Sequence, residues 1–212
     1  MVITVFGATG QVGSSIVRQA LANNHHVKAF GRNIEKWIDE DLRNDHFEVM
    51  KGYVFDEKEV FNAVKGSDAV LSALGGSMDG TDKARSLGMK NIIKQMEKAG
   101  VKRLIGLGGM GVLNADEDTY LLDTPTYPEE YLAVGREHLQ AFLFAKASSL
   151  DWTFVCPPDI LDKDATGHYI TQADYPPDPN IFKIAAGDIA DFMLNELTKN
   201  EYIHHRVGIS AT

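Results

Sequence analysis

Along the first half of this chain the apolar positions switch repeatedly between two spacings. Val2-Ile3-Thr4-Val5-Phe6 is a short β-branched and apolar run, which reads as a buried strand. Residues 11–23 then place Val12, Ile16, Val17, Ala20 and Leu21 on one stripe, the spacing of a helix lying on a sheet. Residues 26–31 and 47–50 read as strands two and three, 58–65 as a short helix, and 69–74 as strand four. The stretch 83–99 is a helix with Met89, Ile92, Ile93, Met96 and Ala99 inward. Gly100, free to turn left-handed, stops it. Residues 102–107 follow as strand five. Strand and helix in strict alternation predict an α/β fold: a doubly wound parallel sheet, helices on both faces, right-handed crossovers.

The regularity breaks late in the chain. All seven prolines lie at or beyond Pro125. Residues 110–128 read as an acidic loop carrying Asp116, Glu117, Asp118 and Asp123, too long for a plain connection. A helix over about 129–148 is expected to bury Leu132, Leu139, Phe142 and Leu143. Trp152-Thr153-Phe154-Val155-Cys156 reads as strand six, closed by Pro157-Pro158. The Pro-, Asp- and Gly-rich segment 159–183 reads as a small substrate-side insertion or lid. Asp188 is expected to cap a last helix bearing Ile189, Phe192, Met193 and Leu197, and residues 207–210 end the sheet. One domain spanning 1–212 is the simplest organisation.

Chemistry enters at the first strand-to-helix turn. Gly7, Gly10 and Gly13 stand three residues apart between strand one and the first helix. Glycine lets the backbone approach a pyrophosphate, and the helix N-terminus offers free N–H groups and a positive dipole end. In this strand-turn-helix setting the triplet marks a Rossmann dinucleotide site. An NAD site usually carries Asp or Glu about 20 residues beyond the glycines, for the ribose 2′-hydroxyl. Here that distance reaches Phe30-Gly31-Arg32-Asn33, with no carboxylate before Glu35. Arg32 is a charged planar fork suited to a 2′-phosphate. The expectation is NADP(H) in preference to NAD(H).

Composition narrows the partners. A formal charge of −9 and a pI near 5.2 argue against nucleic acid. No apolar run approaches a membrane span and the chain opens on a strand rather than a signal peptide, so a cytoplasmic protein is expected. Cys156 is the single cysteine, read as a buried structural thiol in a reducing compartment. The doublets His25-His26 and His204-His205 read as surface residues at strand entrances, and no metal site is expected. The expected partner is a small-molecule substrate, with a homodimer or regulatory partner possible.

These motifs resemble the atypical short-chain dehydrogenase/reductases, and within them the single-domain NAD(P)H-binding branch of NmrA-like proteins and flavin (biliverdin) reductases. The resemblance rests on Gly7-Ala8-Thr9-Gly10-Gln11-Val12-Gly13, Gly31-Arg32, Lys51-Gly52-Tyr53-Val54-Phe55-Asp56, Leu74-Gly75-Gly76, Ala99-Gly100-Val101-Lys102-Arg103-Leu104 and Leu150–Pro158. It implies that Thr9, Gln11 and Val12 line the diphosphate, that Phe55 and Asp56 border the adenine, and that Leu74, Gly75 and Gly76 pass the nicotinamide ribose. It further implies that Pro157, Pro158 and Ile160 sit near the carboxamide. For Asp56 the residues alone also allow an N-cap role.

Many relatives carry a Ser or Thr after strand five and a Tyr-x-x-x-Lys pair, whose lysine lowers the tyrosine pKa. This chain has Gly108-Gly109-Met110, and Tyr131 is followed four residues later by Gly135. The dyad is absent and no catalytic residue is assigned. Two readings follow: an NADPH-dependent reductase handing hydride to a flavin, quinone or similar planar acceptor, or a non-catalytic NADP(H)-sensing regulator. A sugar epimerase would need the missing pair.

Overall fold

The computed structural model describes residues 1–34 and 45–212; Glu35 lies outside the described residues. Strands β1 (Val2–Phe6), β2 (His26–Gly31), β3 (Phe47–Lys51), β4 (Ala69–Ser72), β5 (Arg103–Leu107) and β6 (Asp151–Cys156) alternate with helices α1 (Gln11–Ala22), α2 (Glu57–Val64), α3 (Ala84–Ala99) and α4 (Leu132–Lys146). Strands β7 (Asp159–Leu161), β8 (Tyr169–Ala173) and β9 (Lys183–Ala185), helix α5 (Ala186–Lys199) and β10 (His205–Ala211) complete the chain. The main sheet has the order β3-β2-β1-β4-β5-β6-β10-β8, and every neighbouring pair is parallel except β10 with β8. The expected doubly wound α/β architecture is present.

Alternation along the strands divides the core in two. Ile3 and Val5 face α1 and α5, joining Ile16, Val17, Ile189 and Met193. Phe6 faces the opposite way, into the layer of α2, α3 and α4 with Phe30, Val60, Ile92, Met96, Phe142 and Phe154. Thr4, on that second face, donates its hydroxyl to the Ala63 carbonyl at 2.8 Å. Gly100 ends α3 at φ 75°, as its position predicts.

Two expectations change and a third gains detail. Short strands anchor the segment 159–183, where β8 pairs antiparallel with β10 and β7 pairs with β9. Its Pro, Asp and Gly residues sit mostly in the connections. Asp188 is not the cap of α5, which starts at Ala186 after the extended Ala185. Fully buried, Asp188 instead accepts from the Thr166 and Gly167 amides at 2.7 and 2.9 Å and from the Thr166 hydroxyl at 2.9 Å, tying that loop to the helix. Leu143 is 38% exposed rather than buried. The acidic stretch 110–128 is packed at its base: Val112, Leu113 and Leu122 are buried, and Arg206 donates to the Val112 carbonyl at 2.7 Å.

Candidate functional site

Strand order reverses between β1 and β4, so the loops leaving their C-terminal ends diverge and open a crevice. A cleft of about 610 Å³ occupies it, a size typical of small-molecule sites. Its floor is the first glycine turn. Gly7 has φ 75°, and a Cβ there would overlap the Ala73 carbonyl of the neighbouring loop. A Cβ on Gly13 would overlap the Gly7 carbonyl, so the third glycine seats α1 against the turn. At Gly10 the nearest atom to such a Cβ is 3.5 Å away, which leaves that side open towards the cleft. Helix α1 begins there with no side-chain cap and no acidic residue in its first turn. Its amide end is an uncompensated partial positive charge facing a cleft.

One end of the cleft is aromatic and basic. Arg32, exposed in the turn after β2, lines it and has neither ion pair nor hydrogen bond among the described residues. Tyr53 and Phe55 stand edge to face at 5.2 Å and are 47% and 36% exposed. Their loop is held from behind: the Tyr53 amide donates to Glu59 at 2.6 Å, and Asn91 donates to the Val54 carbonyl at 2.8 Å. Gly52 leaves room for the Phe30 ring beneath.

The other end is lined by Leu74, Gly75, Met78, Asp82, Arg85, Leu107, Gly108, His138 and Ile160. Of the residues expected at the site, Gly7, Thr9, Gly10, Gln11, Val12, Arg32, Phe55, Leu74 and Gly75 line the cleft. Gly13, Asn33, Asp56, Gly76 and Pro157 do not. Asn33 is exposed in the turn beside Arg32. Asp56 caps α2, accepting from the Glu59 amide at 2.8 Å. The carbonyls of Gly76 and Pro157 accept from Arg85 and from the Met110 amide.

Arg85 and His138 are lining residues that pattern reading missed. No local spacing in the sequence marks either residue as a cleft residue. Tyr131 itself is 38% exposed and is not part of the cleft wall. The absent dyad has a steric counterpart. A Cβ on Gly109 would press on the His138 ring at 3.2 Å, and a Cβ on Gly108 would meet Phe154. A Cβ on Gly135 would come within 3.3 Å of the Tyr127 hydroxyl, so a phenol occupies the space beside the lysine position.

Burial sets the charge states. His138 is kept neutral, its pKa lowered to about 3 by desolvation and then by the Arg85 charge. Cys156, fully buried, has its thiol pushed up to about 12 by desolvation, which removes it as a nucleophile. Among the described residues, no cluster of His, Cys, Asp and Glu could hold a metal, and no helix is long and apolar enough to cross a membrane.

Comparison with known proteins agrees with this geometry. A family model described as NAD(P)H-binding matches residues 7–200. The chain is 30% identical to the uncharacterised protein YwnB of Bacillus subtilis, over 97% of this chain and 95% of that one. It superimposes with a TM-score of 0.85 on a candidate NADH-flavin reductase from Streptococcus pneumoniae, 27% identical, with both chains covered in full. A candidate epimerase from Bacteroides thetaiotaomicron gives a TM-score of 0.86 at 30% identity, covering 99% of this chain and 96% of that one. The family model spans the first glycine turn and most of the Rossmann sheet behind it, and places the chain in the NAD(P)H-binding family.

Proposed function

We propose that this protein is an NADPH-dependent oxidoreductase that reduces a planar conjugated acceptor, a flavin or a quinone, without a tyrosine-lysine dyad. The observation that carries the reading is positive charge at two places along one cleft: the uncapped N-terminus of α1, and Arg32 at the mouth, which has no ion pair among the described residues. The glycine turn fits a diphosphate because Gly10, with no side chain, leaves its main chain open towards the cleft. Arg32 fits a 2′-phosphate as a permanently charged fork with no carboxylate paired to it among the described residues. Tyr53 and Phe55 offer apolar faces to an adenine, and Glu59 and Asn91 hold their loop in place.

When bound, the nicotinamide supplies the hydride. The chain then has to orient the two reactants and shape the pocket around them, since a flavin or quinone takes its proton from solvent. The likeness to the Streptococcus pneumoniae protein supports a flavin-type acceptor. An epimerase reading, suggested by the Bacteroides relative, lacks its proton-transfer pair at Tyr131 and Gly135. The protein acts in the cytoplasm on a small-molecule substrate, alone or as a homodimer.

Thermal shift tests the cofactor preference. NADPH should raise the melting temperature more than NADH at equal concentration, because stabilisation grows with the logarithm of affinity. Arg32→Ala should close that gap with little change for NADH; an unchanged gap removes Arg32 from the phosphate. Steady-state oxidation of NADPH with FMN, FAD and quinones tests the chemistry. Gly108, Gly109 and Gly135 favour a second reading, an NADP(H) sensor that regulates a partner. Tight nucleotide binding without turnover of any acceptor would establish it in place of the enzyme.

A further inference from the structure

At the end of the cleft away from Arg32, a cation and a neutral imidazole share the wall with a single carboxylate, Asp82. Arg85 stands in the first turn of α3 and His138 in α4, and both line the cleft with Leu107, Gly108 and Ile160. Arg85 donates from Nη1 to the Ser77 carbonyl at 3.0 Å and from Nη2 to the Gly76 carbonyl at 3.1 Å. Those bonds fix the fork without an ion pair, and the Asp82 and Glu137 charges act on it only from beyond contact distance. Among the described residues no carboxylate lies within 4 Å of it.

The two nearest acidic groups are committed elsewhere. Glu137 pairs with Lys83 at 2.9 Å and accepts from the Ser86 hydroxyl at 2.6 Å. Asp82 accepts from the Ser77 and Ala84 amides at 2.9 and 3.2 Å. In addition, Arg85 Nε and His138 Nδ1 are both buried without a hydrogen-bond partner among the described residues. Buried polar nitrogens are almost always satisfied in folded proteins, so two such atoms behind one cleft wall mark this end as a polar site short of acceptors within the protein.

We propose that Arg85 and His138 form an oxyanion site for the acceptor, selecting planar conjugated molecules that carry an ionised enol, phenol or carboxylate oxygen. Arg85 supplies the fixed charge and His138 a neutral N–H. A guanidinium held by backbone carbonyls pays little reorganisation to meet a planar oxyanion. The Gly108-Gly109 step lets the imidazole approach β5, and a side chain at Gly109 would displace it. This site deepens the reductase reading, because it specifies the charge of the molecule that sits beside the cofactor.

The test is equilibrium binding by calorimetry, with and without saturating NADP+, and needs no turnover. The probe is 4-hydroxycoumarin, a planar enolate at neutral pH, with coumarin as its uncharged isostere. The wild type should bind the enolate more tightly than coumarin. Arg85→Gln should weaken the enolate roughly 10- to 100-fold, the value of a charge-assisted hydrogen bond, and leave coumarin unchanged. Arg85→Lys should recover part of that loss. His138→Ala should cost roughly threefold to tenfold. Equal binding of enolate and coumarin by the wild type overturns the proposal. So does an Arg85→Gln protein that loses NADPH affinity while keeping its enolate preference, which would assign the guanidinium to the cofactor. Failure of the reductase reading shows separately, as absent NADPH oxidation by the wild type.

Discussion

At the scale of single residues, the glycines of the first turn do different work. Gly10 stays open towards the cleft, whereas Gly7 and Gly13 are fixed by protein contacts: Gly7 by a left-handed backbone and the Ala73 carbonyl, Gly13 by the Gly7 carbonyl. A methyl group at position 13 must therefore push α1 away from the turn that feeds it. Gly13→Ala should cost about 1–3 kcal/mol of stability, in the range of an overpacked core. Urea unfolding measures it, and a midpoint equal to wild type would show that the turn relaxes freely. Because the same displacement moves the helix N-terminus off the cleft floor, nucleotide affinity should fall too. The spacing of these glycines was plain in the sequence, and so was Arg32, since both belong to a local signature. Arg85 and His138 carried no such signature. They meet only because α3 and α4 pack side by side, and a linear pattern does not record which helices become neighbours.

At the scale of elements, strand and helix periodicity was legible as far as β6, because each unit buries one face against its immediate neighbours. Between Pro157 and α5 it failed, and it became legible again in α5 and β10. The segment that becomes β7, β8 and β9 pairs with strands far away in the chain, and its short half-buried runs carry no strong alternation. Asp188 misled in the same way: an aspartate near a helix start suggests a cap, yet its partners are the Thr166 and Gly167 amides of a distant loop. A buried ion pair holds this late region to the earlier sheet. Arg103 on β5 meets Glu196 of α5 at 2.9 Å, with side-chain exposures of 10% and 1%. Arg103 also donates to the Thr153 hydroxyl at 2.9 Å, and Glu196 accepts from the Tyr202 amide at 2.9 Å. Removing one partner leaves a desolvated charge behind, so Glu196→Ala should cost about 3–5 kcal/mol. The double variant Arg103→Met with Glu196→Leu should recover most of that loss, since an apolar pair of similar volume strands nothing. Chemical denaturation of the three proteins decides it, and a double variant as weak as the single one would mean that the hydrogen bonds outweigh the charge.

At the scale of the whole molecule, the buried neutral groups set the pH range over which the fold is most stable. His138 stays uncharged in the folded protein down to about pH 3, while the unfolded chain protonates it from the ordinary value of 6.5 downward. Between those limits the unfolded state holds more protons, so stability must fall as pH is lowered. Cys156 acts at the other limb. Its folded thiol titrates at about 12 against 9.0 unfolded, so above pH 9 the unfolded chain releases a proton that the folded one keeps. Stability therefore falls as pH rises through that range. A plateau between about pH 6.5 and 9 follows from these two groups. Paired carboxylates such as Glu57, held low by its hydrogen bond to Lys94, act only further into acid, below their ordinary value of 4.5. The window from pH 6.5 to 5 therefore belongs mainly to His138. His25, lowered by partial burial and then by the N-terminal charge, adds an effect of the same sign. Urea midpoints measured in half-unit pH steps test this. His138→Gln should flatten the slope between pH 6.5 and 5, and Cys156→Ala should flatten the slope above pH 9 while lowering the whole curve through the cavity it leaves. If His138→Gln kept the wild-type acid slope, the imidazole would titrate near its ordinary value in the folded protein, and its charge beside Arg85 would change with pH.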